Sequence, residues 1–489
     1  MIPEQERKKD LPPFISEPKW VTSYADQVIR KFGDEQVINI STGISLSGPV
    51  HVGHLREFMT GALIHNSLQA KGIRTNLLAF ADDMDPLKRR YDFLPETYQR
   101  YVGVPLYLIP SSYVEGMSYS DYFLNQFLDS MNQLGINPVV RKSSDIYNSG
   151  IFDQTVLRFM KDRDKLLSIL KNVSGTKKEN IWPYRFVCPE CHSSTRTDIL
   201  QYDTQCGDAE VSCANCNHNS VTNITSNGGK LMWRFDWPAR WNLYNIHAEP
   251  VAQDHASKGG SYDSSEVILQ EYFHKKSPVP LKYSWVKSRK SLDLHTKTGV
   301  TTVKQLVDVY PKPIVWSMYA LPEPRNPILF DLTDSLGCEI RNYYKNLDIL
   351  RGILPNDMEL SPVFKTTDFN TIVNFIKTGR PFGNISVQDF DTIKGWLEST
   401  GQMDKIELSD AEKQLVGHIQ TALNQTVEWT PLQIKETIKK FSINQNVPVK
   451  DIAVILYKAL FSTETGPNIT QYFAELPKGE VINKLSLNQ

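Results

Sequence analysis

Apolar and polar positions along the first hundred residues alternate between two periods. "QVINISTGIS" (Gln36–Ser45) is a short run rich in β-branched residues and reads as a strand. "LREFMTGALIHNSLQAKG" (Leu55–Gly72) repeats its apolar residues at helical spacing and ends on glycine. "RTNLLAFADDMDPLKRR" returns to a strand pattern from Thr75 to Phe80. Further on, "VLRFMKDRDKLLSILKNVSGTKK" interleaves basic and apolar residues with a helical period, the pattern of a solvated helix face. Trp237 and Trp241 stand four apart and read as one packed helix face, with Trp233 expected outside it. The last third is helical. "LSDAEKQLVGHIQTALNQ" opens on a capping box, Ser409 with Glu412. "WTPLQIKETIKKF" opens on Thr430 with Pro431 at the first helical position, and "VPVKDIAVILYKALF" is amphipathic.

With 489 residues the chain is too long for one core, and two to four domains are expected. Its formal net charge of −1 neither favours nor excludes a nucleic-acid partner, so any such surface would be a local patch. No stretch approaches the roughly 18 apolar residues of a membrane span, and "MIPEQERKKDLPPFI" lacks the apolar centre of a secretory signal. Five of the six cysteines fall between Cys188 and Cys216, which is not the spread of a disulfide framework. A cytoplasmic location is expected.

Those cysteines form two C-x2-C pairs, Cys188 with Cys191 and Cys213 with Cys216, separated by 21 residues. The pattern predicts two knuckles closing a tetrahedral four-thiolate zinc site. A closed site has no open position for a catalytic water, so the zinc is expected to be structural. Cys206 is a spare, and His218 is a weaker ligand candidate.

Between the first strand and its helix lies "SGPVHVGHLREF". A glycine-bearing turn from a strand's carboxyl end into a helix is the local layout of a nucleotide site. Gly48 and Gly53 would allow close backbone approach, and Pro49 would fix the turn. His51 and His54 would then be donors aimed at phosphate. The plainer alternative is a pair of histidines that cap the helix. After the next strand, Asp82, Asp83 and Asp85 would lie at the same crevice, to bind a cation or metal or simply to form a solvated turn.

"HVGH" resembles the HIGH signature of class I aminoacyl-tRNA synthetases. "TGISLSGPVHVGHLRE" with "DDMDPLK" is similar to the class I lysyl-tRNA synthetases. The resemblance continues through "YVGVPLYLIPSSY", "GKLMWRFDWPARW", "QDHASKGGSYD" and "PRNPILFDL" to "FSTETGP", nearly the whole chain. It implies an α/β fold: a Rossmann-type parallel sheet with an inserted zinc-binding module and a C-terminal all-α domain. Domains are expected at 20–100 and 240–285 for the two halves of the sheet. The insertion would span 101–239, the phosphate loop and connection 286–345, and the helical anticodon-binding-like domain 346–489.

The resemblance implies activation of lysine by ATP, with Mg²⁺, and transfer to tRNA, with tRNA-Lys as the expected acceptor. It places Gly43, Ser45, Trp233 and His255 around lysine, and Pro49, Gly53, Asp254 and Lys297 around ATP, with His51, His54 and Lys297 as the catalytic set. An aromatic face beside the four-carbon stem and a hydroxyl near the ammonium suit such a substrate. Two positions depart mildly from the branch: His54 where asparagine is usual, and Ser45 where threonine is common.

One segment departs strongly. The branch's second signature reads K-M-S-S-S-K-G, and here "KSRKSLDLHTKTGVTTVKQL" follows "YSWV". Counting back without a gap from "VTTV" sets "LDLHTKTG" on the signature and keeps only Lys297, with Thr296 as a hydroxyl. A second register through Lys287–Ser291 restores two lysines but needs extra loop residues. The departure leaves two rivals to the main expectation: a paralogue that passes an activated amino acid to another acceptor, and a non-catalytic tRNA-binding regulator.

Overall fold

The computed structural model describes residues 17–176, 181–225, 228–287, 301–330, 336–355, 372–373, 387–399, 406–461, 464 and 468–487. Two compact units partition the chain. The first takes residues 1–305, 316–331 and 346–356, and the second 306–315, 332–345 and 357–489. Residues 346–356, expected in the helical domain, therefore belong to the first unit. Among the described residues no helix is long and apolar enough to cross a membrane.

The first unit is built on five parallel strands: β1 (Ile38–Ser45), β2 (Thr75–Asp82), β3 (Val139–Lys142), β4 (Ile246–Ala252) and β5 (Val279–Tyr283), in the order β5-β4-β1-β2-β3. The chain thus starts in the middle, winds outward to β3, then returns to the other side of β1. The crevice outside the carboxyl ends of β1 and β4 is the switch point, where ligands bind in open α/β sheets. β1 is buried over most of its length and β4 over nearly all of it, polar residues such as Thr42, His247 and Glu249 included, as central strands of a parallel sheet are. The order also corrects the expected insertion. β3 pairs with β2, so the sheet takes a strand from within 101–239, and its first half runs past residue 100 to Lys142.

Helix α1 (Lys19–Phe32) buries Trp20, Val21, Ala25, Val28 and Phe32. α2 (Val52–Ala70) is buried on most of its faces, as a central helix of such a unit must be. The expected basic helix is two: Asp153–Lys161 and Arg163–Ser174 meet at Asp162 and keep their apolar faces buried. A three-stranded antiparallel sheet, Thr197–Tyr202, Asp208–Cys213 and Asn219–Asn223, forms the cysteine-bearing module.

In the second unit, α4 (Asp410–Asn424) starts at the expected capping box, with Ser409 and Glu412 bonded reciprocally. α5 (Pro431–Gln445) starts at Thr430, whose hydroxyl accepts from Gln433 N. α6 (Val449–Phe461) buries Ile452, Leu456 and Leu460. Their buried residues recur at three- and four-residue spacings, so the bundle follows directly from the amphipathic pattern.

Candidate active site and metal centre

The turn after β1 delivers His51 as the N-cap of α2. Its Nδ1 accepts from Gly53 N at 3.1 Å, and His54 Nδ1 accepts from His51 N at 3.4 Å. The two rings stack with centroids 3.7 Å apart and 26° between planes. They do cap the helix, and that is what aims them. With Nδ1 accepting, the neutral imidazole carries its proton on Nε2, so each ring holds an N–H donor on its far edge at a helix amino terminus. A Cβ at residue 53 would lie 2.9 Å from the His51 ring. The glycine of H-x-G-H is thus required by the folded-back imidazole, a reason different from the ligand approach read from sequence.

Residues 301–303 lie against this cap. Val52 N donates to Thr301 O at 3.1 Å, Val303 N donates to Val50 O at 2.9 Å, and His51 forms an antiparallel bridge with Thr302. Lys297 lies outside the described residues, as do Arg289 and Lys290. Lys287 ends the short strand before the segment, with its ammonium 5.6 Å from the centroid of Trp285.

At the other end of the crevice, Gly43 N donates to Glu57 Oε1 at 2.5 Å and Tyr283 OH donates to Glu57 Oε2 at 2.9 Å. Burial pushes the Glu57 carboxyl up to about 8, and the Gly43 N–H and Tyr283 hydroxyl only partly counter it. The nearest atoms to a Cβ at Gly43 would be 3.8 Å away, so the fold itself has room for a side chain there. Glycine keeps the space beside a carboxylate open. Ser45 closes β1 opposite Asp82, and Pro49 lies in the turn beyond it.

His255 follows β4, its Nδ1 2.7 Å from Ser261 Oγ. Asp254, just before it, is exposed. The ring of His255 lies 5.6 Å from Trp237 and 6.0 Å from Trp233, centroid to centroid. α3 (Trp233–Tyr244) begins at Trp233, which stacks on Trp237 at 4.7 Å. The sequence expectation that Trp233 stands outside the tryptophan face is therefore wrong. The three indoles form one stripe at four-residue spacing, because the helix starts a turn earlier than the pattern around 237 and 241 requires. The Trp237 indole N–H donates to Glu249 Oε1 at 2.9 Å, and that of Trp241 to Glu249 Oε2. The buried Trp233 N–H has no acceptor among the described residues.

The aspartates after β2 are not open ligands. Asp82 pairs with Lys230 at 2.5 Å and with Arg240 at 3.3 Å, and Arg240 also meets Asp236 at 2.5 Å. Burial alone would raise the Asp82 pKa, but Lys230 and Arg240 outweigh it and hold the carboxyl below its usual range. Tyr147 OH donates to Asp236 at 2.6 Å. Asp83 accepts from Ser144 N at 2.8 Å and from the Ser144 hydroxyl, and Asp85 pairs with Lys230 at 3.1 Å. The group is a buried network that locks α3 to β2.

In the module, Cys188, Cys191, Cys213 and Cys216 place all four sulfurs within 4.8 Å of one another. The Cys188–Cys216 and Cys191–Cys213 separations are 3.6 Å. Zinc bound to four thiolates at about 2.3 Å spaces its sulfurs by about 3.8 Å, so the donor set fits. Each knuckle closes on a left-handed residue directly after its second cysteine, His192 at φ 55° and Asn217 at φ 59°. His218 contributes its carbonyl to Cys213 N at 2.9 Å, and exposed Cys206 stands apart from the four. Glu57, Tyr283 and Arg240 are the site residues that sequence reasoning missed. Only Glu57 carried a signal, as the acid that closes "HVGHLRE".

Residues 18–368 match the family model described as tRNA synthetases class I (K). The lysine–tRNA ligase of Thermoplasma acidophilum is 29% identical, over 94% of this chain and 98% of that protein. The lysine–tRNA ligase of Thermoplasma volcanium is 30% identical over the same shares. Lysine–tRNA ligase 1 of Methanosarcina acetivorans is 30% identical, over 88% of this chain and 79% of that one.

Proposed function

Since this chain belongs to the class I (K) tRNA synthetases, we infer that it is a lysine–tRNA ligase, which activates lysine with ATP and transfers it to tRNA. The observation that carries the reading at the site is that α2 holds both ends of it. His51 and His54 head the helix, and Glu57 sits one turn on, bonded to Gly43 and Tyr283.

Activation needs no protein nucleophile. The lysine carboxylate attacks the α-phosphate and pyrophosphate leaves, so the protein's work is positioning and steadying charge. The Nε2–H groups of His51 and His54 would donate to the triphosphate, with the turn of Pro49 and Gly53 beneath it and Asp254 as polar support nearby. Lys297 would neutralise the departing pyrophosphate. Gly43, Ser45, Trp233 and His255 would enclose the lysine stem, with Glu57 facing its ammonium. Mg²⁺ would accompany the nucleotide, and one zinc would be held by Cys188, Cys191, Cys213 and Cys216 as a folding staple. A cytoplasmic location fits those reduced cysteines.

The rivals drawn from the loop, another acceptor or no catalysis, rest on that departure alone and are not favoured by the similarity to lysine–tRNA ligases. Lysine-dependent pyrophosphate exchange followed by charging of total tRNA tests the choice. Exchange with no charging would sink transfer to tRNA, and no exchange with any amino acid would sink activation. In the same assay Lys297→Ala is expected to lose more rate than Lys287→Ala; the reverse order would move the phosphate contact to the second register.

Glu57 gives a pH signature. Its folded pKa is raised to about 8, so in the empty site it is protonated at neutral pH and ionises as pH rises. Pairing with an ammonium needs the ionised form. The KM for lysine is therefore expected to fall between about pH 6.5 and 8, by at most tenfold per unit, and Glu57→Gln to raise it and flatten the profile. The stability linkage runs the other way: the folded state gains from the proton at low pH and loses that gain as pH climbs to 8. A lysine KM unaffected by pH and by Glu57→Gln would remove the carboxylate from the pocket.

A further inference from the structure

Glu249 is 6% exposed and stands on β4, inside the parallel sheet, yet among the described residues it forms no ion pair. Each of its oxygens accepts from an indole. The Trp237 N–H donates to Oε1 at 2.9 Å, and the Trp241 N–H donates to Oε2. Burying a carboxylate is costly, and an apolar side chain of similar volume usually serves packing as well. What the carboxylate adds is two acceptors in one rigid plane. Trp237 and Trp241 stand one helical turn apart on α3, so a single group on the strand fixes the rotation of two successive rings of the stripe.

The third ring of the stripe has no such anchor. The Trp233 N–H finds no acceptor among the described residues, so the plane of that indole is set by the faces around it. Trp233 stacks on Trp237, with centroids 4.7 Å apart and 23° between planes, and the Arg240 guanidinium carbon lies 5.8 Å from the Trp233 centroid. Trp237 also meets His255 edge to face, at 5.6 Å and 69°. One ring thus contacts both Trp233 and His255, the pair that would enclose the lysine stem, and it is a ring that Glu249 holds. His255 itself follows β4, its Nδ1 2.7 Å from Ser261 Oγ. The same strand therefore supplies the anchor of the indoles and the lead into the histidine.

We propose that Glu249 is a positioning residue for lysine: through Trp237 it sets the plane of Trp233 and the place of His255 without touching substrate. The proposal rests on the reading that Trp233 and His255 line the lysine pocket. Lining rings hold a ligand in one geometry only where packing and hydrogen bonds lock the rings themselves. Freeing Trp237 would let the aromatic wall rock against the lysine stem, which weakens ground state and transition state alike. The histidine pair at the phosphate end is held by the cap of α2 and does not depend on the stripe.

The test follows lysine-dependent pyrophosphate exchange by the full chain in Glu249→Gln, Trp237→Phe and the double variant, each checked for a wild-type far-UV spectrum. The glutamine amide offers one acceptor where the carboxylate offers two, and phenylalanine keeps a ring against Trp233 without the N–H. In each single variant the lysine KM is expected to rise about tenfold, the loss of one hydrogen bond to a charged group, while kcat and the KM for ATP stay within about twofold of wild type. The double variant is expected to be no worse than the worse single one, because both changes break the same link. The near-UV tryptophan bands of Glu249→Gln are expected to change with them. Should Glu249→Gln fail to fold, Trp237→Phe carries the comparison. A lower melting temperature with an unchanged lysine KM would overturn the proposal, since the carboxylate would then serve the core alone. So would lysine KM, ATP KM and kcat worsening together, the mark of a general scaffold defect, and so would effects that multiply in the double variant. Trp233→Ala tests the parent reading separately: an unchanged lysine KM there would remove the pocket, and the proposal with it.

Discussion

Replacing His54 with alanine is expected to slow lysine-dependent pyrophosphate exchange by about 10²–10³-fold, the loss typical of one preorganised donor to developing charge. The ring does two jobs that alanine would remove together. Its Nδ1 accepts from His51 N, and its stacking on His51 fixes the plane of both rings. Asparagine separates the two. Its side-chain oxygen can take the cap position and its amide can donate, so His54→Asn is expected to retain more rate than His54→Ala. The readout is the exchange rate at saturating lysine, with lysine binding followed separately by calorimetry. Lysine affinity should hold, because Glu57 and Gly43 lie a turn or more away. If alanine and asparagine at this position both left exchange at the wild-type rate, the histidine pair would have no part in the chemistry.

The second large effect concerns the module. Cys213→Ser is expected to abolish binding of one zinc per chain and to open the three-stranded sheet to protease. Structural zinc supplies about 10–16 kcal/mol of apparent binding free energy in isolated fingers, and in such modules that is folding free energy. Packing here recovers part of it, since Phe186, Ala209 and Val211 belong to the core shared with Trp233 and Trp237. The knuckle also reaches the amino-acid end. Ser194 N donates to Gly103 O at 2.8 Å, and Ser194 borders a cavity of about 210 Å³ together with Asp85, Lys230 and Trp233. Lysine KM is therefore expected to rise along with protease sensitivity. A purified chain with no zinc by elemental analysis, and Cys213→Ser melting with wild type, would show that the four thiols are only neighbours.

What could be read from the chain beforehand divides by distance in sequence. The strand, turn and helix around His51, the cysteine knuckles and the capping box at Ser409 are each set by residues within a few positions of one another. The patterns state them directly. The aspartates after β2 were read as open because their partners are remote: Lys230 reaches Asp82 across 148 residues of sequence and Arg240 across 158. No local pattern announces that a carboxylate will be neutralised from there. Glu57 was missed for the same reason, since Tyr283 arrives from more than two hundred residues away. The error at Trp233 is of another kind. The four-residue spacing extends to it, and only the start of the helix was misjudged.

Main-chain bonds flank residues 288–300 on both sides: Phe330 N donates to Lys287 O at 2.8 Å before them, and Val303 N donates to Val50 O at 2.9 Å after them. A bond made through the main chain survives a change of side chain, so Thr301 is expected to tolerate substitution with the returning end still mounted on the helix cap.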